Sequence, residues 1–246
     1  MRVHLYTIVW NERPNLEFFF RHYDPWVDRY VIYDDGSDDG TPEILRAHPR
    51  VEVRHFQRTD QPFALSQMNL SNTAWKESRG AADWVIVNDL DEHLYHPTIG
   101  DYLRSQRSDG VTAIPALGFE MVSGARGAPD TKWYSKLCLF DPDAVEEVRF
   151  GPGRHRAKPA GNIVYPEKDE LILLHYRYLD LQRVLTRRTQ LAQRLGPNDR
   201  ENDLCRHWND PADKIEKNFA SLQTRSIDVL ALREPALTHA VPWWRR

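Results

Sequence analysis

The sequence predicts an α/β fold in which helices flank a mostly parallel central sheet. Through the first half of the chain, short apolar runs alternate with stretches of helical periodicity. Strands that alternate with helices form crossover units, and these units place their strands parallel. Acidic residues also follow two of the apolar runs, as Asp34-Asp35 and Asp89-Leu90-Asp91. Because ligands of such sheets bind at the carboxyl ends of strands, the sequence predicts a binding site there.

Turn and cap residues set the bounds of the elements in the first half. Pro14 opens the first helix, and Thr41 with Pro42 opens the second after a turn rich in Asp and Gly. A third helix stops at Arg79-Gly80. Apolar and polar residues alternate over 51–56, which indicates a strand at or near a sheet edge. The predicted strands are residues 3–9, 30–33, 51–56 and 84–88, and the predicted helices are 15–22, 41–45 and 65–79.

The second half is less regular. A loop near the site is expected over 151–161, where Pro and Gly are frequent, and Asp210 is expected to cap the last helix. The helix at 180–195 has an apolar face and places Arg183, Arg187 and Arg194 on another face. We therefore expect one domain over 1–178 and a helical C-terminal extension over 179–246 that packs on it. The predicted strands are 111–114, 133–140 and 171–174, and the predicted helices are 98–103, 180–195 and 211–222.

Composition limits the class of protein. The chain has 246 residues, 41% of them hydrophobic, and a formal charge of −3, which argues against nucleic-acid binding. Its two cysteines cannot form a disulfide framework, and Cys138 lies in an apolar run that predicts a reduced core residue. No apolar stretch is long enough for a membrane span or a signal peptide, so we expect a cytoplasmic protein. The Trp- and Arg-containing C-terminus indicates at most peripheral membrane contact.

The spacing of Asp89 and Asp91 suggests metal chemistry. Alternate residues of an extended chain share a face, so both carboxylates can point into one crevice. Like charges held that close repel each other, and a hard divalent cation such as Mg²⁺ or Mn²⁺ relieves the repulsion. Acidic residues after a strand are also common turn formers, and Asp89 could instead cap the next helix. The second acidic strand end, Asp34-Asp35, favours the metal interpretation.

Three segments together resemble a known family. They are Val9-Trp10-Asn11-Glu12, the run from Ile32 to Thr41, and the run from Trp84 to Glu92. Over residues 1 to about 95 their order and spacing resemble the inverting nucleotide-sugar glycosyltransferases of family 2, with the Rossmann-like fold called GT-A. The chain departs from that pattern at Asp34, where Thr is usual, and at His93, where an aromatic residue is frequent.

The resemblance implies roles for residues at the strand ends. Asn11, Glu12 and Asp34 would hold the nucleobase and ribose, and Asp35 would either orient the turn or reach the ribose. Asp89 and Asp91 would approach the ribose and the metal-bridged diphosphate. The remaining residues that would contact the donor or the metal are Gln67 and Asn72 beside the sugar, Lys136 and Arg177 near phosphate, and His175 as a metal ligand.

Several of these assignments have alternatives. Gln67 and Asn72 can equally be the packed polar face of a helix. His155, in a basic loop, is the rival of His175 as the metal ligand, and that loop can instead bind the acceptor or the diphosphate.

The resemblance further implies the reaction. A sugar would move with inversion from a nucleoside-diphosphate donor to a hydroxyl of a saccharide, lipid-linked or small-molecule acceptor. Mn²⁺ or Mg²⁺ held by Asp89, Asp91 and His175 would stabilise the charge of the leaving diphosphate, which makes Asp91 catalytic. Glu120 is the first choice for the general base, with Asp130 and Asp141 as alternatives.

Two other functions fit parts of the sequence. The run from Val85 to Asp91 also resembles the haloacid dehalogenase-like phosphatases, in which Asp89 would be the nucleophile, although Glu92-His93 replaces Gly-Thr there. A nucleotide-sugar-binding protein without turnover would keep the same fold, because fold alone does not carry activity.

Overall fold

Four parallel strands form one half of a large mixed sheet in this computed structural model, which describes residues 1–58, 62–201 and 205–246. The strands lie in the order β3-β2-β1-β4, and β3 is the edge strand that the alternating pattern predicted. Three helices connect them as crossovers. The elements are β1 (Val3–Val9), α1 (Arg13–Tyr23), β2 (Arg29–Asp34), α2 (Thr41–Ala47), β3 (Val51–His55), α3 (Phe63–Thr73) and β4 (Trp84–Val87).

Antiparallel pairs extend the sheet on the other side of β4. The later strands are β5 (Glu92–Tyr95), β6 (Ala113–Met121), β7 (Arg126–Asp130), β8 (Lys136–Phe140), β9 (Val145–Glu147), β10 (Ala160–Gly161), β11 (Ile172–His175) and β12 (Ile227–Asp228). The later helices are α4 (Ile99–Ser108), α5 (Leu181–Gln193), α6 (Pro197–Glu201) and α7 (Ala212–Arg225). β11 lies between β5 and β6, antiparallel to the first and parallel to the second. The α/β class predicted from the sequence is therefore confirmed.

Successive residues of the central strands pack into different apolar clusters, because their side chains point to opposite faces of the sheet. Leu5 and Ile86 contribute to a cluster with side chains of α1, α2 and α4. Tyr6 and Val87 contribute to a second cluster with Trp75, which follows α3. Cys138 is fully buried with a free thiol, as predicted. Burial on both faces fixes the register of the strands and therefore the positions of the residues at their ends.

The C-terminal segment packs on this sheet and adds to it. α5 and α7 contact each other, and β12 pairs with β7 at the edge of the large sheet. Trp244 is buried and donates a hydrogen bond of 2.9 Å from its indole to Asp169. The C-terminal tryptophans therefore pack on their own domain. In the described part of the chain, no helix combines the length and the apolar character that crossing a bilayer requires.

Three local predictions differ from the structure. The strand predicted at 111–114 starts at Ala113 and continues through the apolar run after it to Met121, as β6. The strand predicted at 133–140 starts at Lys136, because Asp130 accepts a hydrogen bond from the backbone N–H of Trp133 and closes a turn first. Asp210 does not cap α7, since its carboxylate accepts a hydrogen bond from Lys214 Nζ instead.

Candidate functional site

A cavity of about 830 Å³ opens at the carboxyl ends of the central strands. Trp10 and Asn11 follow β1, Asp35 follows β2, Asp89 and Asp91 follow β4, and His175 ends β11; all six line the cavity. The parallel register sets Val9 opposite Asp34, so the residues that follow these two strands emerge side by side. The sheet thus brings the two acidic strand ends to one space, as their positions in the sequence predicted.

The turn after β2 is tied to the end of β1 by hydrogen bonds. Asn11 donates to Ser37 Oγ from its backbone N–H and to Asp38 Oδ1 from its side chain, at 2.8 and 2.7 Å. Asp34 accepts from the backbone N–H of Ser37 at 3.2 Å. Asn11 lines the cavity but Asp34 does not. Asp34 therefore shapes the turn, whereas it was expected to contact the nucleoside.

Glu12 faces the cavity in an ion pair with the C-terminal extension. Its Oε1 lies 2.5 Å from a guanidinium nitrogen of Arg187 on α5, and Asn15 donates to its other oxygen. Burial raises the pKa of Glu12 to about 7, with a further contribution from Asp91, although the Arg187 charge opposes the rise. Glu12 therefore changes charge near neutral pH.

Asp35 and Trp10 are held by arginines in the same way. The Asp35 carboxylate accepts from Arg58 at 2.7 and 3.0 Å and pairs with Arg194 at 3.0 Å. The Arg194 guanidinium also lies 3.9 Å from the centroid of the Trp10 ring, and that of Arg187 lies 4.9 Å from it. Cations at these distances attract the ring face. The C-terminal extension thus covers the end of the cavity where the nucleoside is expected.

Two buried cations pair with the acidic motif after β4. Arg154 is 2% exposed, and a nitrogen of its guanidinium lies 2.7 Å from Asp89 Oδ1, to which Gln67 also donates at 3.3 Å. Lys136 donates to Glu92 at 2.5 Å, and both side chains are buried. Burial alone would raise the pKa of Asp89, but the charges of Arg154 and Lys136 lower it. Asp89 therefore stays ionised.

Asp91 contacts His175, and not the arginine and lysine that lie near Asp89. His175 Nε2 lies 3.3 Å from Asp91 Oδ2, and His175 Nδ1 lies 3.1 Å from Glu120 Oε1. The sheet register sets His175 opposite Glu120 on β6, and Glu120 also accepts from Arg177 at 2.7 Å. Burial would lower the pKa of His175, but the Glu120 and Asp91 carboxylates raise it to about 10. The imidazole is therefore protonated at neutral pH.

Glu120 lies behind His175 and does not line the cavity. It is 2% exposed, and although burial would raise its pKa, the charges of Arg177 and His175 lower it. A general base must reach the hydroxyl that it deprotonates. This placement therefore suits support of the histidine better than the predicted role as base.

The predicted three-residue metal set is not assembled. Among the described residues, no three or more His, Cys, Asp or Glu side chains are arranged to hold a metal ion. Asp89 is occupied by Arg154, whereas Asp91 and His175 lie together at the cavity wall. A carboxylate on the second nitrogen of a histidine is the usual support of a metal-ligating imidazole, and Glu120 supplies it. Asp91 and His175 therefore fit a metal ion, and Asp89 in this arrangement does not.

Other predicted residues lie away from Asp91. His155 lines the cavity but hydrogen-bonds the backbone carbonyl of Trp133 at 2.7 Å, so of the two histidines His175 is the one beside Asp91. Asn72 exchanges two hydrogen bonds with the backbone of Phe150 and does not line the cavity, so its role is to hold that loop. Asp130 and Asp141 do not line the cavity either; Asp141 pairs with Arg107 at 3.1 Å.

Sequence reasoning missed Trp10 and most of the cationic side of the site. The helical spacing of Arg187 and Arg194 was visible, but nothing in the sequence indicated that they contact residues 10–12 and 35. The sequence predicts a loop near the site over 151–161 but gives no signal that Arg154 in it contacts Asp89. The residues added by the structure are Trp10, Arg58, Arg154, Arg187, Arg188 and Arg194.

Comparison with curated proteins finds one similar segment, and no family model matches the chain. A glycosyltransferase family 92 protein of Arabidopsis thaliana is 30% identical over 112 residues, which is 45% of this chain and 18% of that protein. The chain therefore spans less than a fifth of the length of the curated relative that it matches.

Solved structures with a similar chain trace include S. aureus TarS. Residues 1–349 of TarS are 10% identical, with a TM-score of 0.46 over 89% of this chain and 71% of that chain. The same protein in complex with UDP-GlcNAc is 12% identical, with a TM-score of 0.44 over 89% of this chain and 72% of that chain.

Proposed function

We propose that this protein is a glycosyltransferase that moves a sugar from a nucleoside-diphosphate donor to a hydroxyl acceptor. One observation carries the proposal: the residues that follow β1, β2 and β4 and the histidine that ends β11 all line a single cavity. The partial likeness to a family 92 glycosyltransferase supports it. At about 830 Å³ the cavity has the size of sites that enclose small-molecule ligands.

The donor binds with its nucleoside at the end of the cavity formed by Trp10, Asn11, Glu12 and Asp35. An aromatic ring there offers a stacking face for a base, and the carboxylates accept hydrogen bonds from ribose hydroxyls. Lys136 lines the cavity and pairs with Glu92, and its ammonium would attract the diphosphate. Gln67, which donates a hydrogen bond to Asp89, would contact the donor sugar.

Asp91 and His175 would hold Mn²⁺ or Mg²⁺ in this proposal. The ion, when bound, stabilises negative charge on the leaving diphosphate. His175 must lose its proton to become a ligand, because only a neutral imidazole nitrogen binds metal. Glu120 orients the imidazole through Nδ1 and acts as a positioning residue. Inversion follows when the acceptor hydroxyl attacks from the face opposite the diphosphate.

The proposal is tested by the release of nucleoside diphosphate from a panel of nucleotide sugars with Mn²⁺. We expect turnover by the wild-type protein and a loss of about 10²–10³-fold in Asp91→Asn, the range found when one group that stabilises transition-state charge is removed. Asp213→Asn is the matched control, because Asp213 is exposed on α7 and pairs only with Lys217 among the described residues.

Unchanged turnover in a folded Asp91→Asn protein would contradict the role of Asp91. Binding of a nucleoside diphosphate without turnover of any donor would instead support the non-catalytic alternative. A phosphoaspartate trapped at Asp89 would support the phosphatase alternative. The ion pair of Asp89 with Arg154 and its hydrogen bond from Gln67 play no part in such a step.

A further inference from the structure

Two neighbouring arginines line the cavity, and in the described part of the chain only one of them pairs with a carboxylate. Arg177 and Arg188 both line the cavity, and both lie next to Tyr178. Arg177 donates a hydrogen bond from one guanidinium nitrogen to Glu120, while its Nε is buried with no partner among the described residues. The Glu120 carboxylate also pairs with His175, so two cations already share it before Arg188 is considered.

Arg188 is buried, and none of the carboxylates in the described ranges is its partner. It is 8% exposed, and its Nη1 donates 2.8 Å to the backbone carbonyl of His207. Within the described residues it forms no ion pair, although other arginines of the cavity wall, such as Arg187 and Arg194, pair with Glu12 and Asp35. Burial lowers the pKa of Arg188, and repulsion by Arg177 lowers it further.

A buried charge is costly unless an opposite charge compensates it. Arg188 pairs with no carboxylate of the described residues, and its neighbour Arg177 pairs with a Glu120 that also contacts His175, so the two guanidiniums lack a full set of opposite charges, and both open onto the cavity. Guanidiniums bind phosphate and carboxylate strongly, because their planar N–H groups match the oxygens of these anions. An anion bound between the two side chains would satisfy the free N–H groups and the charge together.

We infer that Arg177 and Arg188 form a subsite for an anionic group, a phosphate or a carboxylate, carried by the acceptor. The inference rests on the proposed function, because it assigns the acceptor to the same cavity. It narrows the acceptor class from any hydroxyl compound to an anionic one.

The helix geometry separates this subsite from the nucleoside. Arg187 and Arg194 are seven residues apart on or just after α5, so they share the side that contacts Trp10. Arg188 is one residue after Arg187 and therefore lies about 100° around the helix axis. It contacts His207 of the extension instead. Arg188 therefore faces a different neighbour from the two arginines at the nucleoside end.

Titration calorimetry with inorganic phosphate tests the subsite on the full chain, first alone and then saturated with UDP or GDP. We expect phosphate to bind in both conditions, because an anion that binds alongside a nucleoside diphosphate does not occupy the diphosphate position. Loss of phosphate binding on saturation with the nucleotide would overturn the inference, since the arginines would then belong to the donor site.

Variants locate the binding. We expect Arg188→Gln to weaken phosphate binding about tenfold or more, because it removes charged hydrogen-bond donors. Arg188→Lys should retain part of the affinity, and Lys217→Gln, which removes an exposed cation of α7, should retain all of it. Equal affinity in the wild type and a folded Arg188→Gln protein would contradict the inference. If Arg188→Gln does not fold, Arg188→Lys and the nucleotide competition still decide it.

The phosphate experiment and the test of the proposed function can fail separately. A protein that binds no nucleoside diphosphate but keeps Arg188-dependent phosphate binding would refute the donor and leave an anion site. A protein that binds UDP or GDP but no phosphate would refute the subsite and leave the donor.

Discussion

At the scale of single residues, the ionisation of Glu12 makes the charge at the nucleoside end of the cavity depend on pH. Its pKa is raised to about 7, chiefly by burial, against an ordinary value of 4.5. Between these two values the folded protein holds a proton that the unfolded chain has released. The contribution of Glu12 to stability is therefore fully present below about pH 4.5 and is lost as the pH rises through 7.

We predict that Glu12→Gln removes this part of the pH dependence. Glutamine cannot ionise, so the free energy of unfolding of the variant should fall less between pH 4.5 and 8 than that of the wild type. The pKa shift of Glu12 corresponds to a difference in the free energy of unfolding on the order of 3 kcal/mol. Urea titrations at both pH values measure it. Parallel pH profiles in the two proteins would contradict the assignment, and Glu216→Gln, exposed on α7, is the control.

The acidic part of the site was predictable residue by residue because its signal is local. Asp89 and Asp91 follow a strand that the sequence shows directly, and their position at a strand end sets their place in the cavity. The cationic partners were not predictable, because they come from distant parts of the chain. Arg187 is 175 positions from Glu12, and Arg154 comes from a loop with no periodic pattern.

At the scale of elements, β6 carries Glu120, the residue that supports His175, and leaves no space for a side chain at Gly118. A Cβ added there would lie 2.3 Å from the carbonyl carbon and 2.5 Å from the carbonyl oxygen of Tyr134. Both are backbone atoms, which cannot rotate away. Glycine at this position therefore allows the segment before β8 to pass against β6, two residues from Glu120.

We predict that Gly118→Ala destabilises the fold by roughly 2–4 kcal/mol, because overpacking against backbone forces the strands apart. Chemical denaturation measures the change. Gly124→Ala is the matched control, since nothing lies within 4 Å of the added methyl group, and its stability should match the wild type. Equal stability of the two variants would show that the close approach is absent.

The strands of the first half were predictable, and several later strands were not. β1 and β4 are apolar runs buried on both faces, and β3 alternates apolar and polar residues as an edge strand does; both patterns give a strong signal. β7 has the sequence Arg-Gly-Ala-Pro-Asp, which by itself is typical of a loop; pairing with β6 and β12 makes it a strand. β5 and β9 are only four and three residues long and equally depend on their partners.

At the scale of the whole molecule, an acidic sheet edge meets a basic extension. The chain carries a net charge of −3, yet arginines of α5 and its C-terminal end surround the cavity. Arg187 and Arg194 pair with the carboxylates at the nucleoside end, and Arg188 pairs with none in the part of the chain that the structure describes. The extension beyond residue 178 is therefore part of the binding site as well as part of the fold.

The most direct test of a donor site is a thermal-shift panel of UDP and GDP with and without Mn²⁺, on the wild type and on Asp91→Asn. A ligand that binds only the folded state at a hundred times its Kd adds about 2.7 kcal/mol of stability. For a chain of this size we expect a rise in Tm of roughly 5–10 °C. The rise should need Mn²⁺ and should shrink in Asp91→Asn; no rise with either nucleotide, or the same rise in the variant, would contradict the account.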